Sequence, residues 1–139
     1  MDFLLYLSPS GNEIYQTISK KIKFVENTPI CRKYDIYGWF DSKSKTMTFC
    51  TNRIKFNGNA SHYINETLYH ESAHVAQSCK NNKLVPLGLS SINLPPNKES
   101  DLKKATSITN LNSYKVEREA FWLEDKPKKV LYYLKKFCF

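Results

Sequence analysis

A chain of 139 residues has the size of one domain, and its 41% hydrophobic, 14% aromatic and 24% charged residues exclude an intrinsically disordered polymer. No apolar run approaches the roughly 20 residues that a membrane span needs. The opening "MDFLLYLSPSG" has a short apolar stretch, an acid at position 2 and no basic n-region, so a secretory signal is not expected and a cytoplasmic address is.

In chain order, "SPSGNEIYQTISKKIKFVEN" carries Ile14, Ile18, Ile22 and Val25 at helical spacing. Ser10 can cap this helix, with Glu13 three residues on. "RKYDIYGWF" and "KTMTFCTNRIKF" are rich in β-branched and aromatic residues around a turn-like "DSKS", which predicts an antiparallel hairpin. Asn57-Gly58-Asn59 breaks the second strand, and Ser61 can cap a helix running to about Cys79, with Asn81 and Asn82 suited to its left-handed end. Residues 80–98 form a long connection that is unusually apolar, so it is expected to lie against the body or to line a cleft. A short helix is predicted over 99–107, then "NSYKVEREAFWLED" as a helix capped by Asn112 or Ser113, and a last helix from Pro127. The order predicts one α+β domain over 1–139: an N-terminal helix, a short antiparallel sheet, then helices.

The net charge of +8 favours acidic partners in general. The lysines are scattered, however, except in "DKPKKVLYYLKKFCF", where Val130, Leu131, Leu134 and Phe137 mark one dry helical face. A packed helix with solvated lysines is the expectation, not a nucleic-acid contact. The four cysteines (Cys31, Cys50, Cys79, Cys138) show no C-x-x-C spacing. Without an export signal they are expected to be reduced, half-buried apolar residues, though Cys79 and Cys138 could be neighbours.

The chemistry concentrates in "LYHESAHVAQSCK", residues 68–80. His70 and His74 lie one helical turn apart on one face, so both imidazoles can reach a single ion. Zinc takes such nitrogens at about 2.0–2.1 Å, and a catalytic site adds a third protein ligand and keeps one position for water. Glu71 would stand beside that water as general base. This composition yields only ~0.004 chance occurrences of His-Glu-x-x-His. The ordinary alternative is two surface histidines on an amphipathic helix. No third histidine follows at the usual spacing, since Gln77 and Lys80 stand there, and His62 lies too far along the axis. A carboxylate from a later helix is needed, and "YKVEREAFWLED" is the best supply. Glu117 and Glu119 compete; they lie about 160° apart on a helical wheel, and periodicity does not choose between them.

"HESAHVAQ" with "EREAFW" some forty residues on resembles the gluzincin metallopeptidases, and the length and element order resemble the minimal zincins called minigluzincins. The resemblance implies a zincin-like fold, one zinc ion per chain, His70, His74 and Glu117 as ligands, and Glu71 as the base. In larger gluzincins an acid four places after the ligand glutamate orients the first histidine; here that place holds Phe121. Orientation must then come from Glu124, Glu66 or a backbone carbonyl. Tyr114, Arg118 and His62 are candidates to stabilise an oxyanion. In zincin-like folds an extended peptide pairs with an edge strand, for which "KTMTFCTNR" is the candidate. The expected function is therefore a zinc metallopeptidase acting on a peptide or protein by Glu71-assisted attack of zinc-bound water. The alternative is a non-catalytic zinc-binding module of the same fold that binds a peptide or protein. A basic nucleic-acid-binding domain is a third class, resting on net charge alone.

Overall fold

A computed structural model describes residues 1–80, 83–109 and 114–139, and among these the chain is a mixed helix-and-sheet domain. A 3-10 turn (Asp2–Tyr6) precedes α1 (Pro9–Ile18), β1 (Lys23–Glu26), α2 (Pro29–Lys33), β2 (Gly38–Asp41), β3 (Thr46–Phe49) and α3 (Thr51–Asn57). Four helices follow: α4 (Ala60–Cys79), α5 (Pro96–Thr109), α6 (Tyr114–Leu123) and α7 (Pro127–Phe137). The expected α+β class, with the motif on a helix between sheet and C-terminal helices, is what the structure has.

The local details differ in instructive ways. The cap of α1 is Ser8, not Ser10: its Oγ accepts the Gly11 N–H at 3.0 Å, and Pro9 takes the first helical position, where its missing N–H costs nothing. The expected extension of this helix to Val25 fails because Phe24 and Val25 enter β1. That strand pairs in parallel with β3, a non-local partner that helical spacing cannot reveal. The predicted hairpin is present as β2 and β3, but the sheet is mixed, in the order β1-β3-β2. The second half of "KTMTFCTNRIKF" turns into α3. Asn59, in the left-handed conformation after Gly58, precedes α4, and Ser61 instead donates to the Tyr6 carbonyl at 3.2 Å. The expected caps at Asn81, Asn82, Asn112 and Ser113 lie outside the described residues.

α4 runs through the centre, touching α1, α6, α7 and the sheet. From Glu71 to Ser78 every side chain is buried, and Ser72, Ala73, Ala76 and Ser78 are small enough to let neighbouring helices approach on all sides. Ile14 and Ile18 of α1 and Val130 and Leu134 of α7 close over it, with the lysines of α7 outside, as its spacing predicts. Beneath the sheet, Phe3 stacks on Phe49 at 4.3 Å and on Phe24 at 5.6 Å. The connection after α4 rests on the body through buried Leu87 and the partly buried Leu84 and Leu89. No described helix is long and apolar enough to cross a membrane.

The expectation of reduced cysteines is overturned. Cys31 bonds Cys50, and Cys79 bonds Cys138, so all four are paired. The expectation rested on the absence of an export signal, which says nothing of geometry. α7 packs along α4 and carries Cys138 to the end of the motif helix. Thiol titration of protein denatured without reductant should find no free thiol. Cys79→Ala/Cys138→Ala, which opens a link across 59 residues, should lower unfolding free energy by about 2–4 kcal/mol in denaturant titrations. One or more reactive thiols, or unchanged stability, would contradict the pairing.

Candidate metal centre

The two motif imidazoles meet α6. On α4, His70 and His74 stand one turn apart with ring centroids 5.2 Å apart, and both turn Nε2 toward the Glu117 carboxylate. His74 Nε2 lies 3.0 Å from Glu117 Oε2, and His70 Nε2 lies 3.4 Å from Oε1. A tetrahedral zinc with ligands at about 2.0–2.1 Å has ligand–ligand edges of about 3.3–3.4 Å, so these spacings need little adjustment to hold an ion. Among the described residues, His70, His74 and Glu117 form the one group whose ligand atoms all lie within 4.8 Å of one another. The donor set and its spacing fit a divalent metal.

The far nitrogens are held as well. His70 Nδ1 lies 2.9 Å from Glu124 Oε1, and a carboxylate can only accept, so Nδ1 carries the proton and a neutral ring presents its Nε2 lone pair. His74 Nδ1 lies 2.7 Å from Gln77 Oε1. The amide orientation follows from its other end, where Gln77 Nε2 donates to the Val116 carbonyl at 3.0 Å and to Glu119 Oε1 at 2.9 Å. Both partners are acceptors, so Gln77 must offer its oxygen to His74. Phe121, in the place of the expected acid, sets its ring edge-on to His70 at 4.6 Å, and Glu124 one turn further on does the orienting.

The rivalry between Glu117 and Glu119 resolves by geometry. Glu119 points away from the imidazoles, where its carboxylate accepts the N–H groups of Leu87 at 2.7 Å, Gly88 at 3.0 Å and Leu89 at 3.0 Å. It pins the connection after α4 onto α6 and, through Gln77, steadies His74.

Glu71 is buried yet lines the same cleft, whose volume is about 420 Å³. β2 forms the opposite wall with Gly38, Trp39 and Phe40. A β-carbon on Gly38 would stand 2.5 Å from Thr67 Cγ2 and 3.4 Å from Glu71 Cγ, so glycine is what lets this strand approach the motif helix. The strand bordering the cleft is thus β2, not the expected "KTMTFCTNR", which supplies the central strand β3. None of the three oxyanion candidates lines the cleft. Arg118 is held by Glu99 at 2.7 Å and the Ile92 carbonyl at 2.9 Å, Tyr114 accepts from Arg118, and His62 sits 3.6 Å from Glu66. Tyr37, Tyr63, Trp39 and Asp101 do line it; Tyr37 and Trp39 stand two apart in the predicted strand "RKYDIYGWF", a spacing that puts both on one face, whereas no local pattern marks Tyr63 or Asp101. They converge only through the packing of β2, α4 and α5.

Charge in the metal-free cluster is self-consistent. Burial opposes a charged His70, but hydrogen bonds to Glu117 and Glu124 outweigh it and raise its pKa well above 6.5. Burial likewise opposes charge on His74, and the Glu117 carboxylate raises it. Glu117 is pushed up by burial but held far below the usual carboxylate range by both imidazoles. Burial pushes Glu71 up, and burial together with the Glu124 charge lifts Glu66 to about 7.

The linkage has a definite sign. Raised histidine pKa values give stability that is complete below pH 6.5 and is lost as pH rises through the folded values. The depressed Glu117 gives stability that is present above pH 4.5 and is lost as pH falls. Chelator-treated protein should therefore lose thermal stability as pH rises from about 6 to about 8, with a shallower slope in Glu117→Gln. A flat profile, or the same slope in the variant, would contradict this charge arrangement.

Among known proteins, the family model described as "Domain of unknown function (DUF8637)" matches residues 3–139. Neither the curated proteins nor the solved structures provide a match. The match spans almost the whole chain, and the protein belongs to the DUF8637 family.

Proposed function

We propose that the protein is a zinc-dependent metallopeptidase, with His70, His74 and Glu117 as ligands and Glu71 as general base. The observation that carries this reading is the convergence of two Nε2 atoms on one carboxylate, in a cleft that Glu71 also lines. Two imidazoles and a carboxylate leave a tetrahedral ion one further position, the donor set of a catalytic zinc site. Zinc, when bound, supplies Lewis acidity that lowers the pKa of water and polarises a carbonyl.

The chain's own groups account for the rest. Glu124 and Gln77 keep protons on both Nδ1 atoms, so both Nε2 lone pairs face the same point. Burial makes the Glu71 carboxylate a stronger proton acceptor than a solvated one, and the Phe40 N–H holds it beside β2. From there it would take a proton at a carboxylate oxygen and return it to the leaving amide nitrogen. Among the described residues the outer edge of β2 has no strand neighbour in the sheet, so an extended peptide can add there. The cleft volume falls within the roughly 300–1,000 Å³ of ligand pockets. The likeness of "HESAHVAQ" and "EREAFW" to gluzincins supports the same assignment. Four paired cysteines favour an oxidising compartment over the cytoplasmic address expected from the N-terminus.

One observation favours a second reading, a zinc-binding module without turnover: Tyr114, Arg118 and His62 are all engaged outside the cleft. Metal analysis joined to a peptide-library screen separates the two. The peptidase reading expects about one zinc per chain, hydrolysis by wild type, and a loss of about 10²–10⁴-fold in Glu71→Gln with zinc retained. Absence of metal, or undiminished hydrolysis by the variant, contradicts it. Zinc uptake without cleavage of any peptide selects the module.

A further inference from the structure

Charge is sharply segregated on this molecule. The chain is basic overall, with 21 lysines and arginines against 13 acids. Yet six of those acids line the cleft (Asp35, Glu66, Glu71, Asp101, Glu117 and Glu124), and among the described residues Lys104 is the only lysine or arginine that does. A metal dication, Lys104, and Lys98 (3.7 Å behind Glu124) would together offset four of the six. Arg53 offsets a fifth, Asp35, so the acidic charge left over with the centre loaded falls to Asp101 and the partly ionised Glu66.

The acids divide by role. Glu71, Glu117 and Glu124 belong to the centre already described. Asp35 stands at the surface 3.6 Å from Arg53, with its side chain 91% exposed, so solvent screens it. Glu66 and Asp101 remain. Glu66 is mostly shielded from solvent, with His62 3.6 Å away; burial and the Glu124 charge push its pKa up, and Lys98 and His70 act against them. Asp101 lies close enough to Glu66 to act on its charge, and has no ion-pair partner among the described residues. Asp101 is exposed at the mouth, where solvent partly screens it, and a cation seated between it and Glu66 would relieve the repulsion of the two carboxylates.

An independent feature of the lining points the same way. Tyr37, Trp39 and Tyr63 share the cleft, with the two tyrosine rings meeting edge to face at 5.5 Å. Tyrosine and tryptophan faces attract ammonium and guanidinium groups, and together with nearby carboxylates they make a receptor for an organic cation.

We propose that the cleft selects peptides carrying a lysine or arginine beside the bond to be cut, with Glu66 and Asp101 receiving the positive side chain. This rests on the peptidase reading for the word "cut", but the charge preference can be read without turnover.

The test uses zinc-loaded full-length protein and a matched set of quenched peptides that differ only in carrying Arg, Lys, Gln or Glu at each position flanking the cleaved bond. The kcat/KM for Arg or Lys should exceed that for Gln by about tenfold at one such position, Glu should be poorest, and raised salt should compress the series. In Asp101→Asn, and more so with Glu66→Gln added, the Arg-to-Gln ratio should fall toward one. A parallel arm measures binding of the same peptides, labelled and uncut, to zinc-loaded Glu71→Gln. Binding that favours Arg over Glu and weakens with salt supports the proposal even if wild type cleaves nothing, an outcome that would count against the peptidase reading alone. Cleavage or binding indifferent to charge, or an Arg preference untouched by both substitutions, overturns it.

Discussion

A single buried carboxylate sets the geometry on which the rest depends. Glu117 lies between the Nε2 atoms of His70 and His74 and so ties α6 to the middle of α4. Without an opposite charge, none of the three would be at ease in so dry a place, because burial alone penalises their charged forms. With each other they form a proton-sharing cluster that, once the imidazoles are neutral, could hold a metal. A metal bound there would compete with protons for the same nitrogens, which would link its affinity to pH.

Around that carboxylate the structure removes freedom in layers. Glu124 and Gln77 determine which imidazole nitrogen is free, and Glu119 determines which way Gln77 faces while holding the backbone of Leu87, Gly88 and Leu89. The Cys79–Cys138 bond then ties the end of α4 to the end of α7. Geometry this constrained is what a metal site needs, since ligand placement tolerates only small errors. The rest of the cleft lining, from β2, the first half of α4 and α5, is aromatic and acidic. There Gly38 admits β2 to the side of α4, and Glu66 and Asp101 give the mouth its charge.

Much of the centre was legible in the sequence because it is local. His70, Glu71 and His74 lie within five residues on one helix, and the helix itself is predictable from its pattern. Glu117 came only through family resemblance, since Glu117 and Glu119 are equivalent to any periodicity argument. What separates them is a loop whose amides need an acceptor, and that is tertiary information. β1 was hidden for a similar reason: "KFVE" continues a helical rhythm until β3 offers it a partner. The cysteines misled because an argument about compartment stood in for one about proximity. Of the aromatic and acidic lining of the cleft, only Tyr37 and Trp39 share a segment, the predicted strand "RKYDIYGWF"; Tyr63 and Asp101 join them through the fold alone.

The account stands on two imidazoles and Glu117 sharing one ion while Glu71 stays off it. Anomalous diffraction at the zinc edge from crystals grown with zinc tests that most directly. The result expected is one strong peak within about 2.0–2.2 Å of His70 Nε2, His74 Nε2 and a Glu117 oxygen, with Glu71 free beside it. A peak held by Glu119 or by surface residues, or no peak between α4 and α6, would contradict the account.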